Sequence, residues 1–239
     1  MHPPRSATPE PVDPESVSPS GPQRALKQAG LVLLCLAWIA FGLVGHDPWK
    51  AEDATTFGAA QAMAQSGDYI VPTLAGEPWL ERGPLVPALA AVTMKLFAPP
   101  LAPHNAARLA AGLLLAAVLL FTSLASRELN GRAFRWLPVL VLVGSIGMWE
   151  RAHALSGELG LTTGISIALY GFALALRRPV AGGVALAAGA VISFLSCGLG
   201  GPIWLSLTLL LLPLASPMWR TRAHVATSAI ALAVALPLS

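Results

Sequence analysis

Apolar residues fill this chain in long blocks, with the polar residues gathered between them. The blocks run at roughly 29–45, 107–126, 136–149, 157–176, 180–197 and 199–216, and a seventh starts at about 224. A helix needs about 20 such residues to cross a hydrocarbon core about 30 Å thick. The pattern therefore predicts an all-α, polytopic transmembrane helix bundle of about seven spans. The third block is short, and the fifth and sixth run almost into one another at Gly198. Two further helices are predicted between the first two blocks. Phe57, Ala60, Met63 and Ala64 share one face of a helix over Glu52–Ser66, and Leu85, Ala88, Leu89, Val92 and Leu96 share one face of another over Leu85–Phe97. The second is bracketed by prolines and too short to span. Both are expected to lie flat at the membrane interface.

Between these two helices, Ser66-Gly67-Asp68 ends the first, Tyr69–Leu74 reads as extended, and Ala75-Gly76-Glu77-Pro78 reads as a turn. Ala181, Ala185 and Gly189 are four apart and predict close helix packing by the fifth span. Residues 1–24 are rich in Pro, Ser and Glu and predict a disordered tail. The first apolar block comes too late for a cleavable signal peptide, so it reads as a signal anchor and first span. Residues 29–239 form one transmembrane domain. The chain ends inside an apolar segment and reads as truncated there.

Composition agrees. The chain is 55% hydrophobic and 11% charged, whereas soluble domains are about a quarter charged. Its net charge of +3 does not point to nucleic acid, because the basic residues stand at the ends of apolar blocks. Arg24 and Lys27, then Arg127, Arg132 and Arg135, then Arg177 and Arg178, then Arg220 and Arg222 all fall on one side of the predicted membrane. The other side receives the loop at 46–84 and the segment Glu150–Glu158. By the positive-inside rule the N-terminus is cytoplasmic. Cys35 and Cys197 form no disulfide or metal pattern.

The chemistry gathers on the acidic side. The loop at 46–84 holds six of the twelve acidic residues, and polar residues collected at one membrane face are a candidate site. Glu52 and Asp53 are adjacent carboxylates that can divide the roles of base and partner, or simply complement a helix N-terminus. Glu81-Arg82 offers a guanidinium fork for a lipid phosphate, or an interfacial ion pair. Glu158 stands at the head of the fourth span, after Arg151 and His153. His153 has no partner at metal-ligand spacing and reads as an interface histidine. No charge stands out at mid-span, which argues against a transporter.

These residues resemble the first external loop of the GT-C type glycosyltransferases that use polyprenyl-phosphate-linked sugars, in particular the bacterial aminoarabinose transferase and protein O-mannosyltransferase groups. Those families carry an Asp-Glu pair, an SGD-like turn and then VPxLxGEPxLEKPPL. This chain has Glu52-Asp53, then Ser66-Gly67-Asp68, then Val71-Pro72-Thr73-Leu74-Ala75-Gly76-Glu77-Pro78-Trp79-Leu80-Glu81-Arg82-Gly83-Pro84-Leu85. The family's Arg and Asp at the head of the fourth span resemble Arg151 and Glu158, more widely spaced here. Its Leu-Thr-Lys-Gly stretch resembles Leu195-Ser196-Cys197-Gly198. The acid pair is inverted, Thr55-Thr56 replaces an Arg-Tyr, and Cys197 replaces a lysine.

The resemblance implies an inverting sugar transfer from a polyprenyl-phosphate donor to a lipid or protein acceptor on the periplasmic face of a bacterial inner membrane. Glu52 or Asp53 would be the base, Arg82 would hold the donor phosphate, and Glu158 and Glu81 would orient the acceptor or a divalent metal ion, with Glu81 the candidate metal ligand. Membrane lipids, the lipid-linked sugar and the acceptor are the partners implied. The alternative is a non-catalytic membrane protein of the same fold, a degenerate paralogue or partner subunit, which Thr55-Thr56 and Cys197 favour.

Overall fold

The computed structural model describes residues 21–43, 51–97, 100–220 and 222–235. It contains ten α-helices and one two-stranded hairpin among them. Two compact units divide the chain, residues 1–34 and 35–239. In the first unit the described part is helical from Gly21, the start of α1 (Gly21–Phe41), so residues 21–24 belong to a helix rather than to the tail expected over 1–24. Residues 1–20 of that tail lie outside the described residues, as does the stretch 236–239 at the end of the chain.

In the second unit, α2 (Ala51–Ser66) ends as Ser66-Gly67-Asp68 predicts. Gly67 takes φ 77, a left-handed value that glycine adopts freely, and the Asp68 side chain accepts from the Ile70 backbone N–H at 2.9 Å. The next turn differs from the expected one. Thr73–Leu74 (β1) pairs with Glu77–Pro78 (β2), and only Ala75-Gly76 form the turn. Both have positive φ, 53 and 88. That is the twist a two-residue hairpin loop requires. The hairpin leads into α3 (Leu85–Phe97).

Helix α4 (Pro103–Asn130) follows, longer than its apolar block, then α5 (Leu137–Gly144), α6 (Ile146–Arg151), α7 (Gly157–Ala175), α8 (Pro179–Cys197), α9 (Gly200–Ala215) and α10 (Arg222–Ala235). The expected seven spans are not all there. Among the described residues only α4, α7 and α8 are long and apolar enough to cross a membrane. Four shorter apolar helices stand at Ala25–Phe41, Leu85–Phe97, Gly200–Ala215 and His224–Ala233. The third predicted span fails because Ser145 is extended (ψ 128) and splits it into α5 and α6. An eight-residue helix rises only about 12 Å. Helix α9 has 16 residues with Pro213 inside, a rise of about 24 Å, short of the hydrocarbon thickness.

The core sits where small residues let backbones approach. Ala106, Ala107, Ala110 and Ala111 line one face of α4, and Ala90, Ala91 and Met94 of α3 pack in the same cluster, with Ala60 and Met63 of α2. The buried face of α2 is Asp53, Thr56, Ala59, Ala60 and Met63. Phe57 and Ala64, expected on the same face as Ala60 and Met63, are only half-buried. Both α2 and α3 contribute to this core.

Helices α7 and α8 pack antiparallel over nearly their full length. A Cβ on Gly160 or Gly164 would overlap Ser196 or Ser193, one on Gly171 would overlap Leu186, and one on Gly182 or Gly189 would overlap α7 backbone at Ala175 or Gly164. Such glycine seams are how helices associate where lipid offers no hydrophobic drive. The expected stripe was Ala181, Ala185 and Gly189; Gly189 packs against Gly164 and Ala168, the Ala185 backbone approaches Gly171, and Ala181 is exposed. This seam brings the head of α7 beside the tail of α8, and the loop before α3 docks there.

Candidate functional site

Glu52 and Asp53 begin α2, where acids complement the helix dipole. Successive helical residues point about 100° apart, and this pair separates accordingly. Asp53 turns inward and is 2% exposed. Its Oδ2 accepts from Arg108 Nη2 at 2.7 Å, and its Oδ1 accepts from the Leu155 backbone N–H at 2.9 Å. One carboxylate thus ties α2 to α4 and to the segment before α7. Burying two charges is costly unless they are paired, as these are.

Glu52 turns sideways. Its Oε1 lies 3.4 Å from Arg82 Nη2, each side chain about one-third exposed (34% and 36%). Arg82 Nη1 reaches Cys197 Sγ at 3.9 Å. The backbone beside it is anchored, since Gly83 N–H donates to Ser196 O at 3.1 Å. A Cβ on Gly83 would overlap the Leu195 carbonyl, so only glycine admits this approach. Gly157 is enclosed less tightly, with Ser196 O, Cys197 Sγ and Arg82 Cδ around the place its Cβ would occupy. Gly198 ends α8 with φ 73, its N–H donating to Phe194 O.

Glu158 lies in the first turn of α7, whose N-cap Ser156 accepts from the Leu159 N–H. It forms an exposed ion pair with Arg151. The Cys197 thiol lies within reach of the charges of Arg82, Glu52 and Glu158. The structure therefore gathers Glu52, Arg82, Glu158 and Cys197 at one end of the α7–α8 hairpin, with Asp53 set behind them. Glu81 is exposed on the loop. Among the described residues no group of three His, Cys, Asp or Glu side chains could hold a metal ion. Glu52 and Glu158 each face an arginine, a donor set that does not fit a metal. His153 bonds the Trp38 carbonyl through Nε2 (3.1 Å) and stacks edge-on against the Trp38 ring.

The sequence reading missed Arg108. It is 1% exposed, and it was hidden at the edge of the 107–126 block. A charge within a span is itself a signal of a buried partner.

The fold is an apolar helical bundle with an acid-and-arginine loop seated at one end of a glycine-packed helix pair. Two solved structures carry it. ArnT from Cupriavidus metallidurans in the apo state matches with TM-score 0.76 and 20% identity over 90% of this chain. The same protein bound to undecaprenyl phosphate matches with TM-score 0.74 and 18% identity over 92%. Either way, this chain spans 41% of the length of that protein. At such identity the likeness establishes the fold. No protein-family model and no curated protein matches the sequence.

Proposed function

We propose that the Arg82 end of the bundle binds a polyprenyl-phosphate-linked sugar and serves its transfer to a lipid or protein acceptor at the outer face of the inner membrane. The observation that carries this reading is the contact between Glu52 and Arg82. Thirty residues apart in sequence, they meet beside the head of α7. The undecaprenyl phosphate in the ArnT structure of the same fold supports the class of donor.

In this reading Arg82 takes the donor phosphate on its planar fork. At 3.4 Å its pairing with Glu52 is loose, because strong charged hydrogen bonds run about 2.7–2.9 Å. A phosphate competes for the guanidinium and releases Glu52. Glu52 then accepts the proton of the acceptor hydroxyl as its oxygen attacks the anomeric carbon. The bond from that carbon to the phosphate oxygen breaks, the electron pair stays on that oxygen, and the polyprenyl phosphate leaves with its charge paired to Arg82. Asp53 has both oxygens engaged by Arg108 and Leu155 and holds the loop in place. Glu158 and Arg151 frame the acceptor side. With the basic clusters inside, the N-terminus is cytoplasmic and this end is periplasmic.

The second reading, a non-catalytic protein of the same fold, draws on one contact. Arg82 meets the Cys197 thiol, where the resemblance places a lysine, so the site holds one cation fewer. The test is binding of undecaprenyl phosphate to the purified chain. Arg82→Ala is expected to weaken binding at least about tenfold, and Arg82→Lys to weaken it less, because the charge survives without the fork. Equal binding by all three proteins removes Arg82 from the site.

A further inference from the structure

The bundle carries a second feature. A groove of about 820 Å³ opens between α4, α5 and α7, lined by Val118, Leu129, Phe134, Val141, Ile165 and Leu169 with few polar groups. Leu137, Pro138, Val141 and Leu142 of α5 form one of its walls. From Val118 to Asn130, α4 rises about 18 Å, close to the depth of one leaflet of a core about 30 Å thick.

Ser126, Asn130 and Phe134 line one end of this groove. Arg127, Arg132 and Arg135 flank these residues in sequence, and Arg177 and Arg178 follow α7. The one acid there is Glu128, which pairs with Arg127 (3.0 Å) and Arg177 (3.7 Å). Arg132 is exposed and forms no ion pair among the described residues. Arg135 donates through Nε to Ser123 Oγ (3.3 Å), and its guanidinium lies 4.9 Å from the Trp136 ring centroid. A Trp-Arg pair at the end of an apolar groove is the chemistry of a membrane interface.

We propose that this groove binds an anionic phospholipid, with an acyl chain along α4 and α7 and the headgroup phosphate on Arg132 and Arg135. Charge complementarity selects the occupant: the excess of arginines calls for a ligand with net negative charge, and the apolar lining calls for a chain one leaflet long. Basic pockets between helices at the cytoplasmic leaflet hold anionic headgroups in this way. The inference rests on the membrane fold and is independent of transfer at the Arg82 end.

Native mass spectrometry of the purified chain with phosphatidylglycerol and phosphatidylcholine at equal concentration tests it. Retention of phosphatidylglycerol is expected to exceed that of phosphatidylcholine by on the order of tenfold. Arg132→Gln with Arg135→Gln should erase the preference, and Arg132→Gln alone, at an exposed side chain, should reduce it. Ile165→Trp, which fills the groove and leaves the arginines in place, should lower retention of both lipids. Equal retention of the two lipids by the unaltered chain overturns the proposal. So does unchanged retention by Ile165→Trp, or loss of a bound protein chain instead of lipid on that substitution.

Discussion

Replacing Arg108 with methionine removes one half of the buried pair that fixes the candidate site. Met matches the length of the side chain's apolar stem and leaves the Asp53 carboxylate 2% exposed without its 2.7 Å partner. Breaking a buried pair by removing one partner costs about 3–5 kcal/mol. Each kcal/mol lowers the melting temperature of a chain of this size by roughly 2–4 °C, so the expected fall is on the order of 10 °C. Asp53→Asn keeps an oxygen for the Leu155 N–H and should cost less. The double variant removes both charges and should lose well under the sum of the two single losses, giving a coupling on the order of 1–3 kcal/mol. Thermal unfolding of all four proteins in the same detergent measures this cycle. Glu52→Gln is the internal control. Its pair is loose and one-third exposed, and such pairs contribute under about 1 kcal/mol. If Arg108→Met melts with the unaltered protein, or the two single losses simply add, the buried pair does not hold the loop and Asp53 has no positioning role.

Two other consequences are open to measurement. In a chain whose Cys35 and Cys197 are replaced by Ser, Asp68→Cys should react with an impermeant maleimide in intact cells and Arg178→Cys should not; the reverse labelling would move the candidate site to the cytoplasm. Gly164→Val should destabilise by about 1–3 kcal/mol through overpacking against Gly189 and Ser193, while Ala181→Val at an exposed position should be near neutral; equal effects would refute the α7–α8 seam.

The sequence carried the helices and the loop better than their environment. The positions of α2, α3, α7 and α8 followed from apolar spacing and from glycine and proline punctuation, because these act locally. The hairpin shifted toward Ala75-Gly76 because turn type depends on which two residues take positive φ, and Ala75 gives no composition signal for that. The span count was too high because hydropathy does not register a single extended residue such as Ser145. The division of labour between Glu52 and Asp53 was invisible. Adjacent residues on a helix look alike in a sequence, and which one faces the core depends on where Arg108 and Leu155 arrive. The meeting of Arg82 with Cys197 depends on Gly83 and Gly157, whose need to lack a Cβ only the packed structure reveals.

Sugar transfer itself is the most direct measurement. Membranes containing the protein would be incubated with labelled polyprenyl-phosphate sugars and a lipid and protein extract as acceptor, beside an equally expressed Glu52→Gln variant. Label should pass to an acceptor with the unaltered protein and fall by about 10²–10⁴ with Glu52→Gln. Transfer at the same rate by both proteins, or by neither, would contradict the account of Glu52 and Arg82 as a transfer site.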